Sequence, residues 1–162
     1  DDNPVIFFDH KNMYNDTWDV PEGEYTIPFG VADIKRPGDN VTIIATSYQV
    51  HNALTAAGKL AEEGIEAEGV DPRTLVPLDK ETIINSVVKT GRAVIVHEAN
   101  LTCGWGGEMA AILADEAFEH LEAPILRVAS LNCPVPYSRT LEFAMLPSVD
   151  KIIDACKRVC EY

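Results

Sequence analysis

The chain has 162 residues, enough for one domain with a sizeable core, and its 46% hydrophobic and 24% charged residues are ordinary for a globular protein. Its formal net charge of −13 argues against a nucleic acid or an anionic membrane as partner, because an acidic surface releases no counterions from either. The charge favours a basic protein partner, with plain solubility as the alternative. No apolar run approaches the roughly 20 residues of a membrane span.

The first 31 residues contain no long periodic segment. The run PVIFFDH at 4–10 is strand-like, and the residues after it mix turn formers with isolated aromatics, as an extended linker does. Because a strand-like run opens the chain without a methionine, we expect the sequence to be a piece of something longer. ADIKR at 32–36 is a candidate edge strand, ended by the turn of Pro37 to Asn40.

From Val41 onward, predicted strands and helices alternate. The helix over 49–63 has an apolar stripe and is followed by Gly64, and the helix that ends at Thr90 has Asp79 as its N-cap and Gly91 as its C-cap. A later helix is expected to run to about Leu121, and the last helix is capped by Ser148 after a proline-rich connection. The strands are predicted at 41–47, 65–72, 93–98 and 125–130. This alternation predicts a mostly parallel sheet with helices on both faces.

Glycines at 104, 106 and 107 lie between the third of these strands and its helix. Such a turn has two interpretations: a backbone cradle for a phosphate at the helix N-terminus, or close packing of the turn. The segment departs from GxGxxG and has no Walker lysine, and Glu98 and Glu108 on either side would repel a phosphate. We therefore favour the structural interpretation.

Other candidate chemistry is sparse. His97 and Glu98 resemble a proton-transfer pair, but neighbours on a strand point to opposite faces. No GxSxG elbow occurs, and the scattered His10, His51 and His120 are expected to be surface or satisfied histidines rather than catalysts. Arg73 could clamp an anion, although pairing with a nearby carboxylate is more common. If the chain acts as a free-standing α/β enzyme, the best candidate cleft comprises Ser47, Tyr48, Glu98 and Asn100.

The four cysteines form no CxxC motif, and they do not cluster with histidines in the sequence. We therefore expect reduced thiols, and neither a zinc site nor a disulfide framework. They are Cys103, Cys133, Cys156 and Cys160.

Four segments of the sequence, in chain order, carry a resemblance to a known protein family. They are VDPRTLVPLDKETI, VIVHEANLTCGWGGEMAAI, LEAPILRV and CPVPYSRTLEFAMLPS. Together with PVIFFDHKNMY and GEYTIPFG, they resemble the β subunit of the thiamine-diphosphate-dependent 2-oxo acid dehydrogenases. That family includes the E1 components of the pyruvate, acetoin and branched-chain complexes. The resemblance covers essentially the whole chain.

The resemblance implies a fold and a division of the chain. Residues 1–31 would be the end of a pyrimidine-binding domain and a linker, and residues 32–162 a transketolase C-terminal-like domain. That domain is a three-layer α/β/α structure with a five-stranded, mostly parallel sheet and one antiparallel edge strand, for which ADIKR is the candidate.

The resemblance also implies a function for the complete enzyme, which decarboxylates a 2-oxo acid on thiamine diphosphate and passes the acyl group to lipoamide. The activating glutamate belongs to the missing domain, and the diphosphate and magnesium ion are held by the E1 α subunit. The present chain therefore matches no catalytic, cofactor-binding or metal position, and we expect it to be catalytically silent alone. Its expected compartment is the cytoplasm, or the mitochondrial matrix in a eukaryote.

Partner binding is the role that the resemblance leaves to this domain. The expected partners are the E1 α subunit, a second β subunit and the basic subunit-binding domain of the acyltransferase (E2), with no nucleic acid and no membrane. The family's LDAP motif contains a docking acid, which Glu122 of Leu121-Glu122-Ala123-Pro124 retains on a longer side chain. Tyr162, near the same surface in such enzymes, is the second candidate. Pro72 and Cys103 depart from the family, which has an aliphatic residue and a glycine there.

Overall fold

The computed structural model describes residues 2–162, so Asp1, the first residue of the predicted 1–31 segment, lies outside the described residues. Five strands form one sheet in the order β1-β3-β2-β4-β5. The strands are β1 (Asp33–Arg36), β2 (Val41–Ala45), β3 (Ala67–Asp71), β4 (Ala93–Asn100) and β5 (Leu126–Ser130). The helices are α1 (Gln49–Glu62), α2 (Lys80–Thr90), α3 (Trp105–Glu116), α4 (Arg139–Met145) and α5 (Val149–Cys160).

The sheet is mixed in the way the resemblance implies. β1 pairs antiparallel with β3 at one edge, whereas the β2–β3, β2–β4 and β4–β5 pairs are parallel. The predicted edge strand ADIKR is thereby confirmed, as is the α/β class.

Two hydrophobic clusters lie on opposite faces of the sheet and account for its three layers. Alternate residues of β2 and β4, such as Ile43 and Val94, pack with α1 and α5 on one face. Their neighbours Ile44 and Ile95 pack with α2 and α3 on the other face. Because adjacent strand residues point to opposite faces, a continuous apolar run in each central strand supplies both clusters.

Local capping signals set several helix ends as predicted. The Asp79 carboxylate accepts hydrogen bonds from the backbone N–H and the hydroxyl of Thr82, and Gly91 ends α2 in the left-handed conformation. The Ser148 hydroxyl accepts from the N–H of Lys151 at the start of α5.

Three sequence predictions about elements were wrong or incomplete. The run 4–10 is exposed and pairs with no strand among residues 2–162, so its apolar side chains lack the neighbours that a strand needs. The helix expected to reach Leu121 ends at Glu116 and continues as a separate 3₁₀ turn, Phe118–His120. The short helix α4 was not predicted, because it follows a proline-rich stretch and has only seven residues.

Within residues 2–162, no helix is long and apolar enough to cross a bilayer.

Candidate functional site

The glycine turn before α3 is filled by the protein itself. A Cβ atom at Gly104 would lie 2.3 Å from the Asn100 carbonyl oxygen and 2.4 Å from Cε1 of His97, and one at Gly106 would lie 2.6 Å from the same imidazole ring. The absent side chains therefore make room for His97 and for the end of β4, and leave no cradle for a phosphate. The structural interpretation of this turn fits the geometry.

His97 and Glu98 do not act together. His97 is 3% exposed, packs beneath the glycine turn, and has both ring nitrogens buried without a well-formed hydrogen bond. Glu98 points to the other side, where its carboxylate accepts from Nε2 of Gln49 at 3.2 Å and lies 3.2 Å from Nε2 of His10. The alternation of the strand separates the two side chains, as the sequence predicted.

Burial gives His97 a role in the pH dependence of folding. Burial, and then the positive charge of Arg127, lower the pKa of His97 below its ordinary value. Protonation therefore favours the unfolded chain, in which a histidine titrates near 6.5. The stability contributed by neutral His97 is complete above about pH 6.5 and decreases below it, by up to about 1.4 kcal/mol per pH unit until the folded pKa is reached.

We expect His97→Leu to flatten this loss of stability when unfolding by urea is followed between about pH 5 and 7.5. His120→Leu, at an exposed histidine, is the matched control and should keep the wild-type profile. An unchanged profile in His97→Leu would assign the acid sensitivity to another group.

The cleft proposed for a free-standing enzyme is only partly assembled. The Tyr48 ring stacks on His10 with centroids 5.0 Å apart, and His10 reaches Glu98, so the N-terminal segment covers this place. Asn100 lines a separate shallow depression with Thr102, Asn132, Cys133 and Pro134. His10 and His51, expected as surface or satisfied histidines, both stack on aromatic rings: His10 on Tyr48 and His51 on Trp18. Long-range contacts of this kind leave no local signal in the sequence.

Arg73 binds a carboxylate rather than a free anion. Its guanidinium lies 2.6 Å from the Asp33 carboxylate and so ties the loop after β3 to β1. This pairing is the more common alternative that the sequence left open.

Glu122 lies at the edge of the sheet formed by the N-terminal ends of the parallel strands, opposite the edge where the glycine turn lies. Its side chain is 61% exposed and forms an ion pair with Arg92 at 2.8 Å, while its N–H donates to the Gly91 carbonyl. The Nε of Arg92 donates to the carbonyl of Val159 in the last turn of α5. Arg92 therefore holds Glu122 next to the end of the helix that leads to Tyr162, whose side chain is 68% exposed.

Acidic and basic side chains both lie at this edge, together with the helix C-termini. In a βαβ arrangement the helix C-termini lie where the parallel strands begin, and each carries a partial negative charge. Lys157 pairs with Glu63 at 2.5 Å and Arg36 with Glu66 at 2.5 Å, so these cations are already neutralised within the chain. Asp39 pairs with Lys89 and Glu122 with Arg92, whereas Glu62, Glu119 and Glu161 are exposed carboxylates with no ion pair among residues 2–162. The edge is suited to a basic partner.

Large apolar side chains are exposed in two other regions, the N-terminal segment and the stretch around α4. Phe8 is 88% exposed and Phe29 82% exposed, and a soluble monomer rarely leaves so many such groups open. Members of these two regions include Val5, Ile6, Phe7, Phe8, Phe29, Val135, Tyr137, Leu141 and Phe143.

The glycine turn before α3 does not fit a diphosphate. The turn that could have held a diphosphate is occupied by the His97 ring. Among these residues, no group of three or more histidine, cysteine, aspartate or glutamate side chains is arranged to hold a metal ion.

Comparison with known proteins agrees with this geometry. Residues 30–152 match the family described as transketolase, C-terminal domain. A solved structure, a split-gene transketolase described as an inactive β4 tetramer, superposes with a TM-score of 0.74 at 25% identity, over 88% of this chain and 45% of that one.

Curated relatives are similar over nearly the whole chain. The β subunit of acetoin:2,6-dichlorophenolindophenol oxidoreductase from Bacillus subtilis is 50% identical over 153 residues, which are 94% of this chain and 45% of that protein. The pyruvate dehydrogenase E1 component β subunit from Rickettsia felis is 47% identical over 162 residues, 100% of this chain and 50% of that protein. The chain thus spans about half the length of the curated relatives it matches.

Proposed function

The chain belongs to the family of transketolase C-terminal domains, and from this membership we propose that it is the C-terminal domain of an E1 β subunit of a 2-oxo acid dehydrogenase complex of the pyruvate or acetoin type. The observation that carries the proposal is the 47–50% identity of nearly all its residues to one half of such subunits. The complete enzyme decarboxylates a 2-oxo acid with thiamine diphosphate and magnesium as cofactors and transfers the acyl group to lipoamide. The proposed compartment is the cytoplasm, or the mitochondrial matrix in a eukaryote.

Within that enzyme we assign the domain two roles, assembly and docking. The exposed apolar side chains of residues 4–29 and of the α4 region support contacts with an E1 α subunit and a second β subunit. The division into a linker segment, 1–31, and a domain, 32–162, is supported by the irregular, exposed course of residues 2–30.

The docking role rests on the acidic edge around Glu122 and Tyr162. The Arg92 ion pair orients the Glu122 carboxylate and leaves it largely exposed, so a basic side chain can approach it without breaking the fold. Helix ends and neighbouring carboxylates add to the attraction. The partner we propose for this edge is the basic subunit-binding domain of the E2 acyltransferase.

Charge reversal at Glu122 tests the docking role. We expect Glu122→Lys to weaken binding of the subunit-binding domain by about 1–3 kcal/mol, or roughly 5- to 150-fold in Kd, because an attractive pair becomes repulsive next to Arg92. Isothermal titration calorimetry at low salt measures the change. Glu81→Lys carries the same charge change on an exposed residue at the opposite end of α2 and should bind like the wild type.

Equal affinity of the Glu122→Lys variant and the wild type would remove Glu122 from the docking surface.

Calorimetry also tests the proposal that this domain alone is not catalytic. Titration with thiamine diphosphate should give no tight binding, since we propose that the cofactor-binding residues lie in the remainder of the β subunit and in the α subunit. Tight binding would overturn the proposal that catalysis requires the remainder of the β subunit and the α subunit.

A further inference from the structure

The four thiols of the chain fall into two classes. Cys156 is buried against the core and Cys160 is partly buried, and burial raises the pKa of both thiols, which keeps them protonated and unreactive. Cys103 and Cys133 are exposed. They lie in the two loops that leave neighbouring parallel strands, β4 and β5.

Hydrogen bonds hold these two loops side by side in a fixed register. At the end of the strands Asn100 pairs with Ser130, and the N–H of Leu101 donates to the Ser130 carbonyl at 3.0 Å. Beyond the strands, the N–H of Thr102 donates to Oδ1 of Asn132 at 3.0 Å, and Nδ2 of Asn132 donates to the Thr102 hydroxyl at 2.7 Å. The partners in the last contacts are 30 residues apart in sequence.

Cys103 and Cys133 are the next residues of the two loops and have the same offset. Neighbouring strands lie about 4.8 Å apart, and a disulfide joins residues whose Cα atoms are about 4.4–6.8 Å apart. The hydrogen bonds between Thr102 and Asn132 hold together the residues that immediately precede the two exposed cysteines.

From this register we propose that Cys103 and Cys133 are a redox modification site, a surface dithiol that closes reversibly to a disulfide by exchange with a small-molecule disulfide such as glutathione disulfide. One cysteine thiolate attacks a sulfur of glutathione disulfide, which forms a mixed disulfide and releases one glutathione thiolate. The second cysteine thiolate attacks the protein sulfur of that mixed disulfide, which forms the Cys103–Cys133 bond and releases the second glutathione. The two thiols lose two electrons and two protons, and the glutathione disulfide is reduced.

The backbone conformation at Cys103 offers a matched variant. Its φ is +60°, a conformation that glycine adopts without strain and that a residue with a Cβ adopts only at a cost. Glycine at this position would relieve the strain, so Cys103→Gly is a variant that retains the turn and lacks the thiol.

Mass spectrometry of the folded chain, before and after incubation with glutathione disulfide, tests the proposal. The expected product has lost two free thiols and two hydrogen atoms in mass, yields a cross-linked Cys103–Cys133 peptide on digestion, and returns to the starting mass with dithiothreitol. Cys133→Ser and Cys103→Gly should each stop at one glutathione adduct on the remaining exposed cysteine.

A second readout separates the internal bond from surface adducts. Closing a loop of 30 residues constrains the unfolded chain, so oxidation should raise the Tm of the wild type by several degrees and leave the Tm of Cys133→Ser unchanged. Two persistent glutathione adducts on the wild type, dimers on a non-reducing gel, or no reaction of these thiols would each overturn the proposal.

Discussion

Replacing Gly104 by alanine is expected to lower the free energy of unfolding by about 3 kcal/mol, the upper end of what overpacking a core usually costs. The added Cβ would lie 2.3 Å from the Asn100 carbonyl oxygen and 2.4 Å from the His97 ring. The first neighbour is backbone at the end of β4, and the second is a buried ring enclosed by the turn, so neither can move away freely. Urea unfolding monitored by circular dichroism measures the loss.

Gly107→Ala is the matched control from the same turn. Its Cβ would meet only Nη1 of Arg127, at 3.4 Å, which is an ordinary contact. Alanine is favoured over glycine inside a helix by up to about 1 kcal/mol, so this variant should be as stable as the wild type or slightly more stable. If Gly104→Ala and Gly107→Ala behaved alike, the close approach of His97 to the turn would not be what requires glycine.

Those parts of the fold that depend on local chemistry could be predicted from the sequence. The apolar runs of β2 and β4 indicate strands buried on both faces, and Asp79, Gly91 and Ser148 mark helix ends through side-chain or left-handed caps. Strand–helix alternation then requires parallel pairing. The antiparallel direction of β1 has no local signal, and only the resemblance to a known family predicted it.

Features that depend on distant residues could not be predicted. The contact of His10 with Glu98 joins residues that are 88 positions apart, and the sequence around neither residue predicts it. The position of Glu122 against Gly91 and Arg92 likewise depends on the turn that brings the end of α3 back to the sheet. The exposed run 4–10 has the composition of a strand, but composition does not supply the neighbouring strand that completes it.

The two ends of the parallel strands differ in the groups that surround them. In open α/β sheets, ligands usually bind at the carboxyl ends of the strands, and here the His97 ring fills the glycine turn after β4, while a shallow depression remains beside Asn100 and Asn132. Glu122 and the helix C-termini lie instead at the edge where the strands begin. We propose that edge as the surface for a basic partner.

Removing Lys89 is expected to lower the free energy of unfolding by about 3 kcal/mol, because it leaves the Glu68 carboxylate buried without its counterion. Only 2% of the Glu68 side chain is exposed, and its Oε2 atom contacts the Lys89 ammonium. The remaining donor to Oε2 is the N–H of Gly38, at 3.4 Å, and Oε1 has no partner among residues 2–162. Lys89→Ala compared with the wild type in urea at neutral pH measures this loss.

Two further variants show that burial, and not the ion pair as such, causes the effect. Lys80→Ala breaks a pair with Glu116 of similar geometry, 2.7 Å apart but 49% and 39% exposed, and should cost far less than Lys89→Ala because water screens the pair. The double variant Glu68→Leu/Lys89→Ala removes the stranded charge along with its partner and should recover most of the lost stability. A loss in Lys89→Ala no larger than that in Lys80→Ala would mean that water reaches Glu68 and stabilises its charge once the lysine is gone.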